Sequence, residues 1–270
     1  MRRSSGVVLR PDRARMRRGA ARFRELRATQ VDHVPRRLMC STGSMPDLSK
    51  LYRFRFREAD RAGKMRIWKV LCERFFQPLM GEDRIIVDLA CGYGEFINNI
   101  RGRKKYAVDL NPDARSHLAP EVEFCLSGAD AMTAIADASV DVVFASNFLE
   151  HLRTKDECDR VFAEVRRILR PGGRFVIMGP NIRYLAAEYW DFYDHYLPLS
   201  HLSLEEGLVQ ADYEIERLIP RFLPYTTRSR LPQHPSLVAL YLAVPFVWRA
   251  LGKQFLVVAR KPAAALTPPG

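Results

Sequence analysis

Ile85-Ile86-Val87-Asp88-Leu89-Ala90-Cys91-Gly92-Tyr93-Gly94-Glu95-Phe96 decides how the chain reads. Three apolar residues ending in an acid suit a short buried strand, since an apolar run bounded by turn residues fits one. The small residues from Leu89 to Gly94 let the backbone turn sharply and come close to a ligand. A segment able to start a helix follows. In an open α/β sheet, that strand-to-helix turn is where a nucleotide-like cofactor sits.

The spacing separates two kinds of cofactor. A dinucleotide loop needs a third glycine or alanine, and this chain has Ile97 there. Asp88 also stands where a pyrophosphate would be repelled. S-adenosylmethionine (SAM) carries a sulfonium and an ammonium and no phosphate, so a carboxylate at the strand end favours it.

Four further features follow in order. Lys105 to Asp109 is a second strand ending in an acid, 21 residues after Asp88, which suits a carboxylate accepting from ribose hydroxyls. Glu121 to Leu126 alternates as a third strand, and Asp130 after it suits an adenine amino group. Val140 to Ala145 is a continuously apolar fourth strand. Asp156 to Leu169 has apolar residues at helical spacing, Pro171-Gly172-Gly173 stops it, and Arg174 to Met178 is a fifth strand.

Read together, VDLACGYGEF, YAVDLNPD, GADAM, SVDVVFASNFLEHL and LRPGGRFVIMGPN resemble the class I SAM-dependent methyltransferases, the type 11 group in particular. The resemblance is strong over about Ile85 to Asn181 and weaker to the C-terminal strand. It implies an α/β, Rossmann-like, doubly wound sheet of about seven strands, the last antiparallel, with helices on both faces. Asp88, Ala90, Gly92 and Gly94 would hold the methionyl part. Asp109 would hold the ribose, Asp130 and Ala131 the adenine, and Leu110 is a further cofactor-binding residue. Ser146 and Asn147 would face the methyl group. Ala90 departs from the family's usual glycine, which adds strain if that position needs a positive φ.

The remaining segments read as follows. Asp47 to Asp60 and Lys64 to Met80 read as two helices; Met65, Trp68, Leu71, Cys72, Phe75, Phe76 and Leu79 line one apolar stripe on the second. Tyr52 and Phe56 read as packing residues rather than a cofactor lid. Strands one to five alternating with helices predict a parallel sheet with right-handed crossovers. Asn181 to Gly207, rich in Tyr, Trp, Asp and His, lies where the resemblance puts the acceptor pocket. Tyr213 to Ile219 is the sixth strand and Gln254 to Arg260 the last. Leu237 to Trp248 is entirely apolar and too short to span a bilayer. It reads as a helix packed on the sheet or at a dimer contact. Arg228, Arg230, Arg249 and Lys253 flank it, which also suits peripheral membrane contact through 237–248.

Candidate catalytic groups are His195, ranked first, and His151, in FLEHL after the fourth strand. Histidine titrates near neutrality and suits proton removal from an O–H or N–H acceptor. Asp194 cannot orient His195 by adjacency alone, since neighbours point apart. His201 lies six residues on. No metal is expected, because Asn147 stands where a third ligand to Glu150 and His151 would be needed. The segment after the fourth strand lacks the D-P-P-Y or N-P-P-Y of base amino-methylation and the Pro-Cys nucleophile of cytosine chemistry. A small molecule, sugar or lipid-linked glycan remains as acceptor, and the aromatic segment suits a ring face. The alternative is a catalytically inactive SAM-fold binding or scaffold protein. An NAD-dependent oxidoreductase is opposed by Asp88.

The 270 residues suit a single domain with tails. Residues 1–40 hold 12 Arg, no Lys and three acids, and so supply +9 of the net +12. Residues 1–44 therefore read as a disordered tail or as sequence upstream of a start at Met39 or Met45. Arginine without lysine fits codon bias better than selection for charge. A nucleic-acid or anionic-membrane arm and a transit-type peptide are the other readings. Residues 45–261 form the domain, and 262–270 a frayed tail. No specific nucleic-acid partner is expected of the folded part. Five cysteines with no C-x-x-C pair suit a reducing cytoplasm, with a monomer or homodimer that is cytoplasmic or membrane-peripheral.

Overall fold

The computed structural model describes residues 58–225 and 234–263. Tyr52, Phe56, Cys40, Arg228 and Arg230 lie outside them. The chain divides into two units, Met1–Pro46 and Asp47–Gly270, and every described element belongs to the second.

The first described element is α1 (Glu58–Leu71), which continues through a π-helical turn (Cys72–Phe76) into α2 (Gln77–Met80). The helix expected from Lys64 thus starts earlier and runs as one helical stretch. Gly63 lies within it without breaking it. Then come β1 (Ile85–Leu89), β2 (Lys104–Asp109), β3 (Val122–Leu126) and β4 (Val140–Ser146). They are followed by α3 (Lys155–Ile168), β5 (Leu169–Pro180), α4 (Ile182–Leu185) and α5 (His201–Gln210). The chain closes with β6 (Glu214–Ile219), α6 (Pro235–Ala243), α7 (Pro245–Leu251) and β7 (Gln254–Arg260).

The seven strands lie in the order β3-β2-β1-β4-β5-β7-β6. β1 to β5 pair in parallel, and β7 runs antiparallel to both β5 and β6. The strand order reverses between β1 and β4, and ligands gather at the carboxyl ends of strands beside such a switch.

Alternation along β1 sends Val87 and Leu89 to one face and Ile86 to the other. The first face packs on α3 and α5 through Val161, Phe162, Val165, Leu204 and Leu208. The second packs on Phe76, Phe96, Ile97, Phe222 and Trp248. Burying both faces explains why β1, β4 and β7 read as near-continuous apolar runs.

The expected alternation of strands with helices holds only in part. Between β4 and β5 the crossover is a full helix, capped where Thr154 Oγ1 accepts from Glu157 N at 3.2 Å. Between β2 and β3 there is a short 3-10 helix (Pro112–His117). The segment after the glycine loop makes hydrogen-bonded turns from Gly94 to Ile100 rather than a regular helix.

Candidate active site

The loop after β1 turns through three left-handed residues, Ala90 (φ 56°), Gly92 (φ 56°) and Gly94 (φ 75°). The departure at Ala90 therefore falls where glycine would relieve strain. At Gly94 a β-carbon would sit 2.7 Å from Leu118 Cδ2 and 3.0 Å from Asn98 Nδ2, so no larger residue fits unmoved.

Asp109 ends β2 beside this loop. Its carboxylate accepts from Gly92 N at 2.9 Å and from Asn111 N at 2.8 Å. One strand tip thereby fixes the shape of its neighbour's loop. Burial raises the Asp109 pKa, while backbone donors at Asn111, Gly92 and Leu110 pull it back. Asp88 is deeper still, 3 % exposed. Burial raises its pKa well above the ordinary value, and the charges bearing on it, Glu95 and Asp109, are both acidic and raise it further. A buried group of carboxylates is costly without a cation to answer it. The donor set therefore fits a ligand bearing positive charge, and the loop leaves backbone close to where that ligand would lie.

Leu110 is exposed. Asp130 and Ala131 sit in the exposed turn after β3, with Asp130 3.4 Å from Arg160 Nε. At the tip of β4, Asn147 is also left-handed (φ 50°), and its Nδ2 donates to Ser146 Oγ at 3.2 Å.

The histidines assemble in a way that spacing did not indicate. Glu150 and His151 lie in a 3-10 turn (Leu149–His151) just past β4. Tyr196 N donates to Glu150 O at 2.8 Å and pins the 181–200 segment over that turn. Tyr189, fully buried, donates to Leu197 O at 2.6 Å and closes the segment on itself. This brings Asp194 to His151: His151 Nδ1 is 2.9 Å from Asp194 O and 3.2 Å from its Oδ2. A neutral His151 donates from Nδ1 to Asp194 and keeps Nε2 as its proton acceptor. Burial pulls the His151 pKa down. Hydrogen bonds and charge from Asp194, with the charge of Glu150, outweigh it, so the net shift is upward.

His195 is 5 % exposed, stacked on Phe192 with ring centroids 4.7 Å apart, and 5.2 Å from the His151 ring. Asp194 thus contacts His151, 43 residues away. His201 caps a different interaction: Asn181 Nδ2 donates to its Nδ1 at 2.9 Å, beside a bond to Pro220 O at 2.8 Å. Burial and Arg183 lower its pKa. Asn181, fully buried, went unnoticed in the sequence; its place directly after an apolar strand was the only signal.

Among the described residues, Glu150, His151 and His195 bring one possible metal-ligating atom each to within 4.8 Å of one another. His195 thus stands as a third candidate ligand beside Glu150 and His151, the place that the sequence reading gave to Asn147. The four cysteines in the described residues are free and buried, and no helix there is long and apolar enough to cross a membrane.

Residues 87–177 match the family model described as a methyltransferase domain. Human thiol S-methyltransferase TMT1A is 28% identical over 120 residues, which covers 40% of this chain and 46% of that protein. The ubiquinone/menaquinone biosynthesis C-methyltransferase UbiE of Rubrivivax gelatinosus is 30% identical over 124 residues, 43% of this chain and 46% of that protein. The chain thus spans about half the length of these curated relatives. The crystal structure of a SAM-dependent methyltransferase from Archaeoglobus fulgidus matches with a TM-score of 0.56 and 18% identity, over 80% of this chain and all of that one. That likeness shows the fold.

Proposed function

We propose, for a chain that carries a methyltransferase domain of the class I SAM-dependent family, that it transfers a methyl group to an oxygen or nitrogen of a small molecule, sugar or lipid-linked glycan. When bound, SAM supplies a methyl group on a sulfonium, already attached to a good leaving group. The chain's own residues bind, align and remove a proton.

The observation that carries the reading is Asp109, tied to the Gly92 amide beneath a left-handed loop, next to the buried Asp88. Asp88 takes the cationic end of the methionyl part, to which Ala90, Gly92 and Gly94 let the backbone come close, and the outer lone pairs of Asp109 accept from the ribose. Leu110, Asp130 and Ala131 border the adenine, and Ser146 and Asn147 border the methyl. The acceptor lies under 181–200, where His151 accepts its proton at Nε2. His195 walls the same space. No metal takes part in this scheme.

The acceptors named for the two relatives are a thiol and, for a C-methyltransferase, carbon; they differ, so likeness does not choose the atom. The His151–Asp194 pair supplies a proton acceptor that an O–H or N–H acceptor can use.

The test is calorimetric binding of SAM, S-adenosylhomocysteine and NAD to the protein and to Asp109→Ala. Micromolar SAM binding, weakened tenfold or more in the variant, is expected from loss of hydrogen bonds to a charged group, each about 1.5–3 kcal/mol. A folded protein that binds NAD and ignores SAM would end the methyltransferase reading.

A further inference from the structure

α6 and α7 leave apolar surface in water. The 14 residues of α3 bury five apolar side chains. The nine of α6 bury only Leu242 and the seven of α7 only Trp248. Leu240 is 62 % exposed and Phe246 75 %, with Leu237 and Leu251 also open. Both helices begin at a proline, which sets a sharp turn between them at Val244-Pro245. The only charge in the pair is Arg249.

Along the sequence the C-terminal stretch is one-sided in charge, although Lys253 pairs with Glu188 and Arg260 with Glu214 from earlier segments. From residue 217 to the end the chain has no Asp or Glu, and it carries Arg217, Arg221, Arg228, Arg230, Arg249, Lys253, Arg260 and Lys261. Residues 41–216 hold 23 Lys and Arg against 28 acids, so the middle of the chain is acidic. An apolar projection set in an acid-free basic stretch complements an anionic lipid surface, which attracts each basic group and accepts the side chains. A second copy of the chain would offer the same positive charge to itself.

The helix pair is also tied to the acceptor segment. Arg221 donates to Gly252 O at 2.8 Å and Ala250 O at 2.6 Å, just past and within α7, and lies over the Tyr184 ring at 4.8 Å. Lys253 pairs with Glu188 at 2.5 Å, and Asn181 N donates to Lys253 O at 3.0 Å. These bonds hold the exit of α7 at the carboxyl end of β5, where residues 181–200 begin.

We propose that α6 and α7 dock on an anionic bilayer, inserting Leu240 and Phe246 to headgroup depth, and that the acceptor is an amphiphile drawn from that leaflet. The substrate half of this statement rests on the methyltransferase reading, and the docking half does not.

The experiment is co-sedimentation of the full chain with vesicles of phosphatidylcholine alone and with about 30% phosphatidylglycerol. It is run at low salt and at about 0.3 M salt, where attraction through the N-terminal arginines is screened. The variants are Leu240→Ser with Phe246→Ser, and Arg249→Glu. Both positions of the double change face water, so the fold has no reason to fail, and unaltered melting and SAM calorimetry on the same samples verify it. Expected is binding to the anionic vesicles only, weakened about tenfold or more by the double variant and less by Arg249→Glu. Equal binding of wild type and double variant at the higher salt overturns docking. So does a wild-type dimer that the double variant splits while neither binds vesicles. Loss of SAM binding in every sample, with vesicle binding intact, strikes the enzyme reading and leaves docking in place.

Discussion

Ala90 holds a left-handed backbone in the turn after β1. A non-glycine residue there costs about 1–2 kcal/mol, against about 0.4–1 kcal/mol of unfolded-state entropy that glycine would add. Ala90→Gly should therefore stabilise the protein by about 0.5 kcal/mol, which for a domain of this size raises the melting temperature by about 1–2 °C. Ala90→Val should lower it. Scanning calorimetry reads both, and a lower melting temperature for the glycine variant would mean the alanine methyl packs better than the backbone strains. Asp88 gives a second residue-scale prediction. Burial keeps its pKa well above the ordinary value. A cation bound beside it lowers that pKa, and SAM binding should release protons. Titrations in buffers of different ionisation enthalpy measure the number, and net proton uptake would contradict the assignment. The same raised pKa means the folded state binds the extra proton. Stability of the ligand-free protein should fall as pH rises from the ordinary carboxylate range toward the folded pKa.

At the scale of elements, the 3-10 turn after β4 and the 186–200 segment meet as a His151–Asp194 dyad, with His151 Nδ1 against both the main-chain oxygen and the carboxylate of Asp194. His151 must be neutral to accept a proton, and its pKa is raised. The rate should rise with pH through a value above the usual histidine range. Asp194→Asn removes the charge that raises it, so the rising limb should move to lower pH while the maximal rate drops. His151→Gln should cost about 10²-fold or more in kcat with SAM affinity unchanged. Chelator should leave turnover alone; loss restored by added zinc would convert Glu150, His151 and His195 into a metal site. The strands, their order of appearance and the acid tips were legible in the sequence, because each is a local pattern of apolar run, acid and small residues. The dyad was not. Asp194 and His151 are brought together by Tyr196 N on Glu150 O and by the buried Tyr189, contacts that no spacing encodes. Helix content was over-read for a similar reason: Gly94 to Ile100 and Pro112 to His117 have room only for tight turns before the next strand.

On the scale of the whole molecule, charge is distributed by segment. Residues 1–40 carry +9, 41–216 are net acidic, and everything after 216 is basic. The buried core described here, on both faces of the sheet, is drawn from residues 71–259. A protein starting at Met45 should keep its melting temperature and its affinity for SAM, because the core and the acid tips of β1 and β2 lie within it. It should lose most affinity for nucleic acid at low salt, since non-specific binding scales with the phosphates that arginines neutralise. Calorimetry with SAM, and fluorescence anisotropy with a labelled duplex as salt is varied, measure the two separately. Equal duplex affinity with and without residues 1–44 would remove the basis for an N-terminal nucleic-acid arm. A drop in SAM affinity would place part of the cofactor site in the removed segment and move the domain boundary toward the N-terminus.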